Sequence, residues 1–247
     1  MPDTRAIVTG HTRGLGAAID DHLLAQHVRV LGVARRENED LANRYGPLLT
    51  QVQLNLADAG ALVAWIRWEA LGNFLRGSDT AVLVNNAGVL QPVGPLQSQD
   101  AAGVLMAVAV NVGAPLALSA AFVAATNGHR DRRILHISSG AGSSAYAGWS
   151  VYCATKAALD QHARAVALDR TPALRIASVA PGVIDTDMQA EIRAASEEDF
   201  PDRRRFEELK RDRQLRSPAE AGREVVELLL SNAFGRDTVT DLRQRGG

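Results

Sequence analysis

The chain has 247 residues, of which 46% are hydrophobic and 22% charged, and its 27 basic and 28 acidic side chains leave a formal net charge of −1. This composition excludes a disordered or fibrous chain, and the length is sufficient for a sizeable core. Near-zero charge offers no basic field, so we expect a small-molecule ligand and no nucleic-acid partner. The single Cys allows no internal disulfide and no signal-peptide pattern follows Met1, so we expect a cytoplasmic protein.

Short β-branched apolar runs alternate along the chain with longer segments of helical spacing. This alternation predicts a parallel sheet with helices on both faces, because parallel neighbours need crossover connections. We therefore predict a single α/β domain over residues 1–247, with a doubly wound, Rossmann-like parallel sheet. The predicted strands cover residues 6–9, 28–33, 81–84, 134–138, 175–179 and 238–240, and the predicted helices cover residues 15–26, 59–75, 100–126, 152–169 and 218–230.

A glycine-rich loop joins the first predicted strand to the first predicted helix, with Gly10, Gly14 and Gly16 in a GxxxGxG pattern. Glycines here let the backbone turn sharply and approach a pyrophosphate, which free N–H groups at a helix N-terminus can bind. The spacing differs from the GxGxxG of the commonest dinucleotide-binding fold, so a plain turn is the alternative.

The second predicted strand ends in Arg35 and Arg36, at the place where NAD-binding sites put an acidic residue on the ribose 2′-hydroxyl. An arginine fork there can pair with a 2′-phosphate. Arg13, in the glycine-rich loop, can reach the same group. The pattern favours NADP(H) as the cofactor, and the alternative is that these are ordinary surface arginines.

Residues 100–126 are long and apolar enough to be mistaken for a membrane span. We predict no membrane contact, because the segment contains Asn111, Pro115 and Ser119 and has no Trp or Tyr at its ends. It has hardly any polar face, so we expect it to be buried on every side, by the sheet and in part by a partner subunit. Pro115 has no N–H for the Asn111 carbonyl, which leaves that carbonyl free for a water unless the kink is purely structural.

Tyr152 and Lys156 are four residues apart in the next predicted helix and therefore share one face. A nearby ammonium favours the phenolate and lowers the pKa of a tyrosine, which suits general acid and base chemistry. The alternative is an ordinary pair on a helix surface. Helix 152–169 also presents a run of alanines, and with helix 100–126 it predicts a homodimer or homotetramer unless the rest of the chain covers both.

Residues 187–216 break the alternation, with nine acidic and eight basic side chains among thirty. Phe200, Phe206 and Leu209 are interspersed among these charges. Two interpretations are open: a solvated pair of helices, or a mobile lid over an active site.

These motifs in this order resemble the classical short-chain dehydrogenase/reductase family over essentially the whole chain. The residues that carry the resemblance are Thr9 and Gly10 to Gly16, Asn85-Asn86-Ala87-Gly88, Asn111, Ser139, Tyr152 with Lys156, and Pro181-Gly182 followed by Thr186. The residues Asn85, Ser139 and Pro181 also follow predicted strands, at the carboxyl edge where open α/β sheets bind ligands.

The resemblance implies a role for each motif. Tyr152 would be the proton donor and acceptor, Ser139 would hold the substrate oxygen, and Lys156 would bind the nicotinamide ribose while acidifying Tyr152. Asn111 would complete a water-linked proton relay. The cofactor contacts implied are Gly10, Thr12, Arg13, Gly14, Leu15, Gly16, Arg35, Arg36, Asn55, Leu56, Asn85, Ala87, Gly88, Tyr152, Lys156, Pro181, Gly182, Val183, Ile184 and Thr186.

Within the family, residues 187–193, residues 199–201 and the ending at 239–242 are similar to bacterial benzil reductases and sepiapterin reductases. The similarity implies that Trp149, Met188 and Asp241 contact the substrate. Asp241 matches the acidic residue with which sepiapterin reductases anchor their substrate, and the alternative is a solvent-facing Asp.

The expected function is an NADPH-dependent reductase of ketones and diketones, with benzil or sepiapterin-like substrates favoured. The alternatives are a non-catalytic NADP-binding sensor, and an alcohol dehydrogenase acting on another small secondary alcohol. The six His have no metal-ligand spacing and Cys153 has no cysteine partner, so we expect no metal.

Overall fold

The computed structural model describes residues 3–244. Within that range the strands are β1 (Thr4–Thr9), β2 (Arg29–Ala34), β3 (Leu49–Gln53), β4 (Thr80–Asn85), β5 (Asp131–Ile137), β6 (Leu174–Ala180) and β7 (Val239–Asp241). They form one parallel sheet with the order β3-β2-β1-β4-β5-β6-β7. The order reverses between β1 and β4, which opens a crevice at their carboxyl ends.

Helices cover both faces of the sheet, and the predicted fold class is confirmed. They are α1 (Gly14–Ala25), α2 (Glu39–Tyr45), α3 (Ala59–Arg67), α4 (Ala70–Leu75), α5 (Ala101–Val108), α6 (Ala114–Ala125), α7 (Ser150–Leu168), α8 (Asp187–Ala194), α9 (Arg203–Arg211) and α10 (Pro218–Leu230). One apolar core lies between the sheet and α1, α2 and α10. A second lies between the sheet and α3, α4, α6 and α7.

Two elements at one edge of the sheet were not predicted. Strand β3 buries Leu49 alone and alternates polar and apolar side chains after it, as an edge strand can. Helix α2 has only seven residues, of which Leu41 is buried, so its helical spacing is too short to recognise. Its start is set by Asn38, whose side chain accepts from the Leu41 N–H.

The single helix predicted over 59–75 is wrong. The chain turns between α3 and α4 at Glu69, which has a left-handed backbone with φ 54°. The turn redirects the second segment so that Leu71 and Leu75 enter the core. Neither Gly nor Pro marks this break, so the local sequence gives no signal for it.

The apolar segment 100–126 forms α5 and α6, joined by one turn of π-helix at Ala109–Gly113. This continuous helix, Ala101–Ala125, is long and apolar enough to cross a membrane by length and composition, with a mean hydropathy of 1.9 and 28% of its most apolar stretch buried. Burial on every side was predicted with a partner subunit covering part of the helix, and within one chain the helix is only partly buried. Leu105 is 70% exposed and Val108 42% exposed, because α5 turns one apolar face outward.

Residues 187–216 leave the sheet after β6 and return before α10. Arg216 pairs with Ile184 as an isolated parallel bridge, with backbone bonds to Val183 and Asp185 that close the base of the excursion. Its two helices, α8 and α9, bury Phe200 and Phe206 against Trp149. The structure therefore packs this segment onto the chain instead of leaving it as a solvated pair.

Candidate active site

The glycine-rich loop lies at the carboxyl end of β1, and the backbone there is too close to its neighbours for side chains. A Cβ at Gly10 would lie 2.9 Å from the Ala87 Cα, and one at Gly16 would overlap the Gly10 carbonyl oxygen. Asn86 holds the loop by donating from Nδ2 to the Thr9 and Gly10 carbonyls at 2.9 and 3.1 Å. The loop is thus a fixed part of the crevice.

Helix α1 begins at Gly14, directly after this loop. Its N-cap residue is Arg13, and within residues 3–244 no side chain caps its first N–H groups. Exposed N–H donors at a helix N-terminus, beside backbone without side chains, fit the pyrophosphate of a dinucleotide. Thr12 belongs to the same loop, and the Leu15 side chain is buried beneath it.

Three arginines lie beside this site. Arg35 and Arg36 are exposed at the end of β2. Arg13 pairs through Nη1 with Asp187 Oδ2 at 2.6 Å, and both side chains are about two-thirds exposed. Asn38 connects the two loops, since its Nδ2 donates to the Thr12 carbonyl at 3.2 Å.

A buried histidine supports the same region, and sequence reasoning missed it. His11 is fully buried and its Nε2 lies 2.7 Å from Gln51 Oε1. Because this oxygen also accepts from the Asn38 N–H, the imidazole must be the donor. Gly32 on β2 makes room for the ring, since a Cβ there would lie 2.5 Å from it. The sequence indicated the glycine-rich loop through its glycines. It gave no sign of the contact between His11 and Gln51, because these residues are 40 positions apart.

The other expected cofactor contacts divide into two groups. Asn55 is exposed after β3 and Leu56 is buried in the core. The Asn85 side chain does not face the glycine-rich loop. It is buried, and its Nδ2 lies 3.3 Å from Ser119 Oγ and 3.1 Å from His136 Nδ1, so it supports the sheet. Two residues that follow β4 and β6 approach the glycine-rich loop: a Cβ at Gly10 would lie 3.2 Å from the Ala87 Cβ, and one at Gly14 would lie 3.2 Å from the Thr186 Cγ2. Ile184 is buried in the apolar core. The other expected contacts after these strands are Gly88, Pro181, Gly182 and Val183.

The catalytic candidates converge next to that crevice. Lys156 Nζ donates to the Ile137 carbonyl at 2.8 Å and lies 5.6 Å from the centroid of the Tyr152 ring. A Cβ at Gly88 would lie 3.5 Å from Asn111 Oδ1 and 3.7 Å from Lys156 Nζ. Side chains from the π-helical turn and from α7 therefore meet over the backbone that follows β4.

Asn111 is held rigidly. Its side chain exchanges two hydrogen bonds of 2.8 Å with the backbone of Val89, and its Nδ2 also lies 3.2 Å from Thr155 Oγ1. With both side-chain atoms engaged, its backbone carbonyl is the group left to interact with a ligand or water. Pro115, four residues later, has no N–H to occupy that carbonyl.

Ser139 follows β5 at the start of a short 3₁₀ turn, Gly140–Gly142. Its Oγ accepts from the Ala141 N–H at 3.2 Å, which leaves its own proton to donate. Burial raises the pKa of Tyr152 to about 12, while a hydrogen bond with Ser139 acts to lower it. The predicted lowering of this pKa is not found in the structure, because removal from water disfavours the phenolate.

The wall beyond Tyr152 is aromatic. Trp149 stacks on Phe200 at 4.4 Å between ring centroids and meets the Tyr152 ring edge-on at 5.5 Å. The Tyr152 hydroxyl lies 3.9 Å from Met188 Sδ. Phe200 and Phe206 stood out in the sequence because they are apolar residues within a highly charged segment, but the sequence assigned them no role.

Asp241 is the last residue of β7, so it lies at the carboxyl edge of the sheet, as Ser139 does after β5. Its side chain is only 14% exposed and binds Arg243, whose Nε is 3.0 Å from both carboxylate oxygens. The hydrogen bond from Arg243 holds the pKa of Asp241 below its usual range. The carboxylate is thus paired with Arg243 and little exposed to solvent, and its contact with a substrate stays a prediction.

The comparisons with known proteins agree with this geometry. The family model described as short chain dehydrogenase matches residues 4–197. The chain belongs to the short-chain dehydrogenase/reductase family. Its members are oxidoreductases that use a nicotinamide cofactor. Across residues 3–244 no group of three or more His, Cys, Asp or Glu side chains is placed to hold a metal ion.

Individual members of the short-chain dehydrogenase/reductase family align over nearly the whole chain. A Bacillus cereus benzil reductase that forms (S)-benzoin is 34% identical, over 94% of this chain and 96% of its own. A sepiapterin reductase from Meriones unguiculatus is 29% identical, over 92% of each chain. The crystal structure of a short-chain dehydrogenase/reductase from Burkholderia vietnamiensis is 48% identical and covers 98% of both chains, with a TM-score of 0.73. The resemblance drawn from the sequence is confirmed.

Proposed function

We propose that this protein reduces ketones and diketones and takes the hydride from NADPH. The observation that carries the proposal is the convergence of Ser139, Tyr152 and Lys156, with Asn111, beside a crevice whose glycine-rich loop fits a dinucleotide. The similarity to a benzil reductase supports the direction of the reaction and the kind of substrate.

In the proposed reaction the side chains handle the carbonyl oxygen. Ser139 donates a hydrogen bond to that oxygen and orients the carbonyl, and the Tyr152 hydroxyl transfers one proton to it as general acid. The nicotinamide cofactor supplies the hydride when bound. Lys156 holds the ribose and stabilises the tyrosinate that is left. The Asn111 carbonyl holds a water through which the proton of Tyr152 is replaced.

NADPH is favoured over NADH by the arginines beside the crevice. Arg35 and Arg36 end β2 where a carboxylate would serve NADH, and a guanidinium pairs well with a 2′-phosphate. Asn38 and His11 support the loops that carry these arginines. Arg13 would exchange its exposed ion pair with Asp187 for the phosphate, at little cost because such surface pairs are weak.

The substrate side suits a neutral, aromatic ketone. Trp149, Met188 and Phe200 form an apolar wall next to the Tyr152 hydroxyl. Asp241 is neutralised by Arg243, which supports a benzil-like diketone over a substrate that needs a free acidic anchor. Met188 covers the Tyr152 hydroxyl, so we further propose that residues 187–216 act as a lid that moves to admit the substrate.

The assembly proposed is a homodimer or homotetramer. Leu105, Met106 and Val108 on α5 and Leu168 on α7 are exposed, at 70%, 38%, 42% and 81%. A second copy of the chain would remove this apolar surface from water.

We also propose that the enzyme works in the cytoplasm without contacting a membrane, since a chain with one Cys needs no oxidising compartment.

Following NADPH absorbance against a panel of carbonyl compounds tests the function. The panel contains benzil, sepiapterin, simple aldehydes and hydroxysteroid ketones, and NADH replaces NADPH in a parallel series. We expect the highest kcat/KM for benzil with NADPH. Binding of NADPH without its oxidation by any of these compounds would contradict the proposal and favour a sensor.

A further inference from the structure

Asp160 is a buried acidic side chain one helical turn beyond Lys156 on α7, and the proposed reaction does not use it. The residue is 4% exposed. Its Oδ1 accepts from Ser178 Oγ at 2.6 Å, and Ser178 lies fully buried on β6. Because residues i and i+4 share one face of a helix, the carboxylate lies on the same side of α7 as the Lys156 ammonium.

The other carboxylate oxygen of Asp160 lies against the turn that carries Ser139. A Cβ at Gly142 would lie only 2.5 Å from Asp160 Oδ2, so the carboxylate occupies the space that a side chain there would need. The Gly142 N–H donates to the Ser139 carbonyl at 2.9 Å, which closes the turn. One buried carboxylate therefore supports the Ser139 turn and shares a helix face with Lys156.

We propose that Asp160 is a positioning residue of the active site, which keeps Lys156 protonated as its counter-charge and supports the turn that begins at Ser139. The inference rests on the proposed role of Lys156. Ser178 anchors the carboxylate to the sheet, so that α7 and β6 are held in one arrangement. Two charges on one buried helix face interact strongly, because little water screens them.

The groups facing Lys156 come from two elements. Tyr152 and Asp160 lie on its own helix, and His136 faces it from β5. Burial lowers the pKa of Lys156 to about 8, and the charge of Asp160 raises it. His136 adds no charge near neutral pH, because burial lowers its pKa to about 3. Asp160 is thus the group that opposes the loss of the Lys156 proton.

The pH profile of the enzyme tests this role. Asp160→Asn keeps an acceptor for Ser178 and removes the charge, so Lys156 loses its proton more readily. We expect the alkaline limb of kcat/KM to move down by about one pH unit. The matched variant Ser178→Ala keeps the charge and removes the hydrogen bond. It should lower the Tm by about 3–8 °C and leave the limb where it is.

NADPH affinity, measured by fluorescence titration across pH, supplies a readout independent of turnover. As the pH rises, NADPH affinity should begin to fall at a lower pH in Asp160→Asn than in the parent. In the Lys156→Met background, Asp160→Asn should no longer change the pH at which affinity falls. This arm decides the inference even where the parent reduces no carbonyl in the panel. Equal alkaline limbs and equal binding profiles in parent and Asp160→Asn would overturn it.

Folding is the remaining control. If Asp160→Asn does not accumulate as folded protein, Asp160→Ala combined with Ser178→Ala removes the charge together with its donor and leaves no unpaired hydroxyl. The same downward shift of the binding profile is expected of this double variant. A double variant that folds and binds NADPH with the pH profile of the parent would overturn the inference as well.

Discussion

Tyr152 is the residue on which the proposed chemistry depends most directly. Its hydroxyl lies beside Met188, and its pKa is raised to about 12 by burial. A tyrosine with so high a pKa holds its proton at neutral pH, as a proton donor to a carbonyl must. The ammonium of Lys156 then stabilises the anion that forms, instead of creating it beforehand.

Tyr152→Phe removes the hydroxyl and keeps the ring that packs edge-on against Trp149. We expect kcat to fall by about 10²- to 10⁴-fold, the usual range for loss of a general acid, with NADPH affinity retained. Steady-state turnover and fluorescence titration measure the two effects. Tyr146→Phe is the matched control, since this ring also packs on Trp149, at 5.2 Å. Turnover of Tyr152→Phe close to that of the control would contradict the assignment.

Arg35 tests the cofactor preference. Arg35→Asp repels a 2′-phosphate and offers an acceptor to a 2′-hydroxyl, so the ratio of NADPH to NADH affinity should fall by about tenfold or more. Arg29→Asp makes the same charge change at the exposed opposite end of β2 and should leave the ratio unchanged. Dissociation constants for both cofactors settle the point. The arginine account fails if Arg35→Asp and Arg13→Ala both keep the ratio of the parent.

Among the elements, the segment 187–216 is held in part by a close approach of two backbones. Gly148 has φ 79°, and a Cβ there would overlap the Asp199 carbonyl. Phe200, the next residue, then inserts against Trp149. Without this contact the segment loses the support that holds Phe200 in place.

Gly148→Ala should therefore release residues 187–216. We expect trypsin to cleave the native protein faster within this segment, which contains eight basic side chains. Gly77→Ala is the control for backbone strain, because Gly77 has φ 83° and no atom within 4 Å of a Cβ. Both variants lose stability through the left-handed backbone, by about 1 kcal/mol. Equal cleavage rates in the two would show that the packing at Gly148 does not hold the segment.

At the scale of the whole molecule, α5 has an apolar face that a single chain leaves exposed to solvent. Leu105→Glu places a charge in the proposed contact, and we expect light scattering at micromolar concentration to give a mass near the single-chain 26.4 kDa. Trp68→Glu, at another side chain that is 81% exposed, should keep the mass of the parent. A parent mass already near 26.4 kDa would contradict the oligomer.

Three features could be recognised in the sequence: the alternation of strands and helices, the glycine-rich loop and the Tyr152–Lys156 pair. Each is a local pattern: side chains of a buried parallel strand are continuously apolar, and a spacing of four residues defines one helix face. The family and the fold class followed from these patterns. Strand β3 and the break at Glu69 could not be predicted, because the packing around them selects their conformation and no residue type marks them.

Contacts between distant segments required the tertiary structure. Asp160 and Ser178, His11 and Gln51, and Trp149 and Phe200 meet across 18, 40 and 51 residues, and none of these pairs has a spacing that a motif would show. Burial is likewise a property of the whole fold. It raises the pKa of Tyr152, against the expected lowering, because removal from water disfavours the phenolate. The sequence by itself thus determined which groups are available, and the packing decided which of them meet and how strongly each holds its proton.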